Sequence, residues 1–192
     1  MTYRYIADTH FLHHNIIRFD NRPFATVEEM TETLIENWNS VVKPGDITNI
    51  LGDFCWSSYE SDWASILRRL NGEKVLILGN HDKMSGAKLR KLFADIKDRK
   101  EIVDGDRRVI MSHYPELFYK KAYDQKTFML CGHVHTTRED DFLNEWRFQL
   151  KLSAEKRGDN LGQIINVGCM KDYMDYTPRT LDELLEATGV GK

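Results

Sequence analysis

The chain has 192 residues, 41% of them hydrophobic and 30% charged, with a formal net charge of −3. A polypeptide of this length buries about 70% of its unfolded surface, so a single domain over residues 1–192 is expected to hold together without a disulfide or structural metal. The small negative charge excludes a global positive field for nucleic acid or an anionic membrane, and no segment reaches the ~20 consecutive apolar residues of a membrane helix.

The first expected strand is Tyr3–Ala7, which lacks the charged start and long apolar stretch of a secretory signal. Val27, Met30, Leu34, Trp38 and Val41 recur at three- and four-residue steps and predict a helix over Val27–Val42. Thr26 and Glu29 form a capping-box signature at its start, and Pro44-Gly45 closes it. A strand at Ile47–Leu51 leads to a helix around Asp62–Leu70, ended by Asn71-Gly72, and then to a strand at Lys74–Leu78. Further strands are expected at Arg108–Met111, Thr127–Leu130 and Gln163–Val167, and Thr180 with Glu183 caps a last short helix. This alternation predicts α/β layering. Residues 136–162 are strongly charged and fit a hairpin, a substrate-covering flap or a partly disordered stretch, and the two-residue spacing of Trp146 and Phe148 favours a surface hairpin with one covered face. The three cysteines, Cys55, Cys131 and Cys169, form no CxxC pair, as reduced and mostly buried thiols of a cytoplasmic protein would.

Strand after strand ends in a side chain able to hold a metal. Tyr3–Ala7 is followed by Asp8 and His10, Ile47–Leu51 by Asp53, Lys74–Leu78 by Asn80 and His81, Arg108–Met111 by His113, and Thr127–Leu130 by His133 and His135. In α/β sheets the ligand crevice lies outside the carboxyl ends of the strands, so these residues are expected to meet in one site. The two-residue spacing in DTH and HVH places each pair on one side of an extended chain. Gly52, Gly79 and Gly132 let the backbone turn and approach an ion closely. Carboxylate, imidazole and amide oxygen together suit Mn, Fe, Co, Ni or Zn, with manganese foremost. Seven ligands exceed one tetrahedral ion and fit two divalent metal ions sharing a carboxylate, ~3.5–4 Å apart.

The ordered motifs DxH (Asp8, His10), GD (Gly52-Asp53), GNHD (Gly79–Asp82), SH (Ser112-His113) and GHxH (Gly132–His135) resemble those of the calcineurin-like metallophosphoesterases. ADTHFLHHNIIRF, NRPF and the NVG near residue 166 look like the small bacterial and phage members. The resemblance implies a four-layer αββα sandwich with a dinuclear metal site at the strand ends. Asp8, His10 and His135 would hold one ion, Asn80, His113 and His133 the other, and Asp53 would bridge them. His81 would act on the substrate phosphate and leaving group, with Asp82 favouring its charged form if that carboxylate turns toward the ring. A hydroxide activated by the two ions would attack the phosphorus of a nucleotide or other small phosphoester. The motif continues as GDFCWSS, without the acidic and arginine-containing extension of the phosphoprotein phosphatases. That departure points to a small nucleotide, a cyclic phosphodiester or a nucleic-acid end. The alternative is a catalytically silent scaffold of the same fold that binds a protein partner.

Other residues near these motifs carry weaker expectations. His13, His14, Asn15 and Arg18 are read as substrate contacts or as solvated and capping groups. Trp56 is read first as core. Tyr114, extended before Pro115, is read as packing or as a stacking platform. Lys97–Glu101 and Lys120-Lys121 are read as solvated faces.

Overall fold

The computed structural model describes residues 1–83, 86–157 and 162–191, with Arg157 described by its backbone alone. Its elements run β1 (Tyr3–Ile6), α1 (Ile16–Phe19), α2 (Val27–Val41), β2 (Ile47–Leu51), α3 (Glu60–Arg69), β3 (Glu73–Ile77), α4 (Ala87–Arg90) and β4 (Asp95–Lys97). They continue as β5 (Arg99–Asp104), β6 (Arg107–Ser112), β7 (Thr127–Cys131), α5 (Arg138–Arg157), β8 (Ile164–Asn166) and α6 (Leu181–Thr188).

Two four-stranded sheets form, in the orders β1-β2-β3-β4 and β5-β6-β7-β8. The first is parallel throughout; the second is parallel except for the β5–β6 hairpin. Ile6, Ile50 and Leu76 of the first sheet share one core with Val109, Met111, Leu130 and Ile165 of the second. The intervening residues Ile110, Met129 and Ile164 join a separate cluster with Tyr119, Val134 and Leu143. That period of two shows both faces of the second sheet covered, one by its partner sheet and one by α5 and the loop before β7. Fully burying each such side chain contributes about 1.5–3 kcal/mol. Met30, Leu34 and Trp38 of α2 and Trp63, Ile66 and Leu67 of α3 pack into the larger core, completing the αββα layering.

A seam joins the sheets. Ala7 N–H donates to Val167 O at 2.8 Å, and Cys169 N–H donates to Ala7 O at 2.9 Å, so the chain beyond β8 pairs with the edge of β1.

The capping expectations divide. Thr180 and Glu183 make the full box at α6. At α2, Thr26 Oγ1 accepts from Glu29 N–H at 3.1 Å, but the Glu29 carboxylate accepts from Ala25 N–H at 2.7 Å rather than from Thr26.

The surface hairpin expected within residues 136–162 is corrected to the helix α5; residues 158–161 lie outside the described residues. Asp140, Leu143 and Ala154 are buried along it while Phe148 is exposed, which is a helical stripe rather than a two-residue alternation. Glu139, Asp140 and Asp141 occupy the first turn, where carboxylates favour the helix dipole. Two strands carried no signal: β4 and β5, reading DIK and RKEIVD. They are short or edge strands rich in charge, with Asp95, Lys100, Glu101 and Asp104 half-buried and paired, and the single residue Asp98 carries the chain from one sheet to the other. Among the described residues, no helix is long and apolar enough to cross a membrane. All three cysteines are free and buried.

Candidate metal centre

The turns after β1, β2, β3, β6 and β7 open on one rim and bring the seven expected ligands together. Asp8, His10 and His135 each offer an atom within 4.8 Å of the others, and Asp8, Asp53 and His113 form a second such trio. Asn80 Oδ1 lies 2.9 Å from His113 Nε2 and 3.0 Å from His133 Nδ1. Asp53 Oδ2 stands between the halves, 3.6 Å from His10 Nε2 and 3.6 Å from His113 Nε2.

The pairs in DTH and HVH do share a side, but the extended backbone expected for them is corrected. β1 ends at Ile6 and β7 at Cys131, and Asp8, His10, His133 and His135 have φ of 55°, 47°, 69° and 47°; Asp53 follows at 52°. A non-glycine residue in this left-handed region costs of order 1–3 kcal/mol and collects where surrounding structure enforces it. The enforcement is visible here: Asp8 N–H donates to Gly52 O at 3.0 Å and His10 N–H to Asp53 O at 2.9 Å. At Gly132 an added Cβ would lie 2.7 Å from Asp8 Oδ2, and the bare backbone lets His133 N–H reach both Asp8 oxygens at 3.0 and 3.1 Å. At Gly52, φ is +87° and an added Cβ would lie 2.8 Å from Gly79 Cα and collide with the His113 ring.

Neighbouring acceptors fix the imidazole tautomers. His113 Nδ1 lies 2.8 Å from Leu51 O; a carbonyl only accepts, so Nδ1 carries the proton and Nε2 turns a lone pair to Asn80 and Asp53. His135 Nδ1 likewise donates to Asp20 Oδ1 at 2.7 Å, leaving Nε2 to face His10 Nε2 at 3.3 Å and Asp8 Oδ1 at 3.8 Å. Arg22 holds Asp20 through Nε and Nη2 at 3.0 and 2.8 Å and also donates to the carbonyls of Asp8 and Thr9. Asp20 and Arg22 are the functional neighbours that motif reading missed. Their only signal was a charged pair flanking Asn21 before Pro23, with Arg22 inside the NRPF stretch and Asp20 in the gap between it and ADTHFLHHNIIRF.

The electrostatics follow from burial. Burial pushes the Asp8 carboxyl up, against the pull of His135 and His113. Burial and then the neighbouring His135 hold His10 well below its ordinary value, and burial with His113 lowers His133. Those two rings are therefore kept neutral, the form that ligates. His135 is raised: burial opposes its protonation, but the Asp20 hydrogen bond and the Asp8 carboxylate outweigh it. The His10 and His135 Nε2 atoms at 3.3 Å, and the His113 and His133 ring nitrogens converging on Asn80 Oδ1, bring donor atoms together as a bound cation would need. Two carboxylates, four imidazoles and an amide oxygen fit borderline divalent ions.

His81 lies beside the cluster. Its exposed ring is centred 6.0 Å from that of His10 and 4.6 Å from that of Trp56, and its N–H donates to Asp53 Oδ1 at 2.9 Å. The expectation that Asp82 turns to this ring is corrected. Its carboxylate accepts from Asp53 N–H and Phe54 N–H, both at 2.9 Å, and from Gly79 N–H at 2.8 Å. Three converging amides outcompete one solvated ring for the carboxylate, so Asp82 ties the GD turn to the GNH turn. Burial nevertheless pushes it up to about 6, against the Gly79 and Phe54 hydrogen bonds.

Trp56, read as core, is 45% exposed. His13, read as a contact or a solvated group, is buried and stacked on Trp56 at 4.0 Å and 7°. His14 and Asn15 are exposed, and the Arg18 guanidinium lies over the Phe19 ring at 5.4 Å. Tyr114 packs its ring 4.2 Å from that of His133 and keeps half its surface open. Asn166 of the NVG motif donates to His135 O and Asp140 Oδ1, both at 2.9 Å, and accepts from Gly168 N–H at 2.9 Å.

Two stacked sheets with carboxylates and histidines gathered at a common rim place the chain among the α/β proteins built to hold divalent metal. More narrowly, it belongs to the calcineurin-like phosphoesterase family, whose model matches residues 1–186. The chain is 36% identical over 190 residues to the uncharacterized protein MJ1445 of Methanocaldococcus jannaschii, covering 97% of this chain and 91% of that one. The crystal structure of a protein of unknown function, AQ665 from Aquifex aeolicus, is similar with a TM-score of 0.66 and 27% identity, covering 97% of this chain and 98% of that one. Membership of the family implies metal-dependent phosphoester hydrolysis.

Proposed function

We propose that this chain is a phosphoester hydrolase of small substrates, nucleotides among them or a nucleic-acid end, working with two divalent metal ions. The observation that carries the reading is the position of Asp53 Oδ2, 3.6 Å from both His10 Nε2 and His113 Nε2, where one carboxylate would serve both halves of the ligand set. On this reading Asp8, His10 and His135 hold one ion, Asn80, His113 and His133 the other, and Asp53 both. The oxygen, imidazole and amide donors suit Mn, Fe, Co, Ni and Zn alike, and the choice among them, with Mn favoured, follows availability as much as ligand type. When bound, such ions neutralise phosphate oxygens and lower the pKa of water.

The chain's own residues do the rest. The left-handed turns fix the ligand atoms before substrate arrives, which removes reorganisation from the reaction. Water attacks phosphorus, the ester P–O bond breaks, and the departing oxygen takes a proton from the His81 ring, which stands exposed at the mouth. The three free, buried thiols support a cytoplasmic location.

His81→Ala is expected to bind metal normally and to lose most turnover of a phosphodiester, whereas Asp53→Ala loses both. Metal content and hydrolysis of an aryl phosphodiester measure this. Normal turnover by His81→Ala would remove His81 from the reaction.

A further inference from the structure

Next to His81 a cleft of about 520 Å³ opens away from the ligand cluster, within the ~300–1,000 Å³ range of small-molecule sites. Leu12 and Cys55 give it apolar surface, Trp56 and Tyr59 give it rings, and Asp62 and Lys83 give it opposite charges. It is joined to the ligand cluster through rings alone: Trp56 is centred 4.6 Å from His81 and 6.3 Å from His10. An ester held at the cluster with its leaving oxygen at His81 therefore directs the leaving group into this cleft.

Several features show a surface built in advance. Trp56 is stacked on buried His13 at 4.0 Å and 7°, which orients its ring without a ligand, and its backbone N–H donates to Phe11 O at 2.8 Å. Leu12 is held at φ 64°, a conformation uncommon for leucine, and contributes its side chain to the lining. Ser57 Oγ donates to Asp62 at 2.6 Å, which fixes that carboxylate. Tyr59, which lines the same cleft, is 71% exposed. A small aliphatic leaving group would leave both the rings and the polar edge formed by Asp62 and Lys83 without contacts. A flat group with a π face and a polar edge satisfies both.

We propose that this cleft is the leaving-group subsite and that the group it takes is a nucleoside or a similarly flat heteroaromatic; this rests on the phosphoesterase reading. The experiment compares two diesters with the same phosphoryl half, one with a nucleoside and one with methanol as leaving alcohol, using metal-loaded protein. Trp56→Leu is expected to lower the nucleoside-to-methyl ratio of kcat/KM about tenfold, as loss of one stacking partner does, and Trp56→Phe to restore most of it. Independently of turnover, adenosine is expected to quench the tryptophan emission of the wild type and not that of Trp56→Leu, since Trp38 and Trp63 are buried and Trp146, on α5, does not line the cleft. An unchanged ratio, or no quenching of the wild type, overturns the subsite. Hydrolysis of neither diester overturns the phosphoesterase reading, and the quenching then decides the cleft alone. Should Trp56→Leu fail to fold, Tyr59→Ala and the wild-type quenching carry the same decision.

Discussion

Asp20 Oδ1 accepts a 2.7 Å hydrogen bond from His135 Nδ1, and this carboxylate, itself gripped by Arg22, sets which imidazole nitrogen faces the cluster. A carboxylate behind a ligating histidine raises the basicity of the ring and fixes its orientation, and its loss typically costs 10–100-fold in metal affinity. Asp20→Asn keeps an acceptor for Nδ1 but removes the charge. Calorimetric titration with Mn²⁺ is expected to show binding weakened by about tenfold. Equal affinity would reduce Asp20 to a partner for Arg22.

Asp82 provides a second test, because its corrected role changes the expected phenotype. Asn cannot accept from all three of the backbone amides that now converge on the carboxylate, so at least one loses its partner, at about 1–3 kcal/mol each. Asp82→Asn is expected to melt roughly 4–8 °C below the wild type, using about 2 kcal/mol and the usual slope for a chain of this size. Thermal unfolding of the metal-free protein reads this directly. A wild-type melting temperature combined with lost turnover would return Asp82 to the service of His81.

Far from the cluster, Asp46 accepts from Thr2 N–H at 2.9 Å and Lys43 N–H at 3.1 Å. The Lys43 bond, opposed by burial and aided by Thr2, holds its carboxyl below the ordinary 3.8. A folded value below the unfolded one means stability that is present above 3.8 and lost as pH falls through the folded value. Asp46→Asn is expected to cost about 1–2 kcal/mol at neutral pH, with the gap to wild type closing in acid. Urea unfolding at both pH values measures the gap; a constant gap would show that the charge contributes nothing.

The parallel strands and the ligand residues were legible for the same reason. A strand buried on both faces reads as an unbroken apolar run, as in VLIL, and the polar residue that ends such a run is conspicuous. Asp20 and Arg22 were not legible because their partners, His135 and the Asp8 carbonyl, lie more than a hundred residues away or on the backbone. α5 was misread because Trp146 and Phe148 fall two apart by coincidence, whereas the buried positions 140, 143 and 154 follow the helix. Asp82 was misassigned because proximity in sequence to His81 said nothing of the three amides that reach it from other turns. The left-handed conformations of the ligands left no trace in composition, since Asp and His stand where glycine would be the easier choice.

The hydrogen bonds between Ala7 and residues 167 and 169 also govern the order in which the protein can be made. Asp8 and Asp53 leave the ribosome early, on strands that can pair with each other at once, while His133, His135 and the segment that zips onto Ala7 come much later. Throughout that interval the edge of the first strand is an unsatisfied template, and the two carboxylates lie bare without the imidazoles that complete them. The edge of β1 and the ligand cluster are thus completed only by segments made late: residues 133–135, residues 167–169 and the Arg179 bridge to Tyr5.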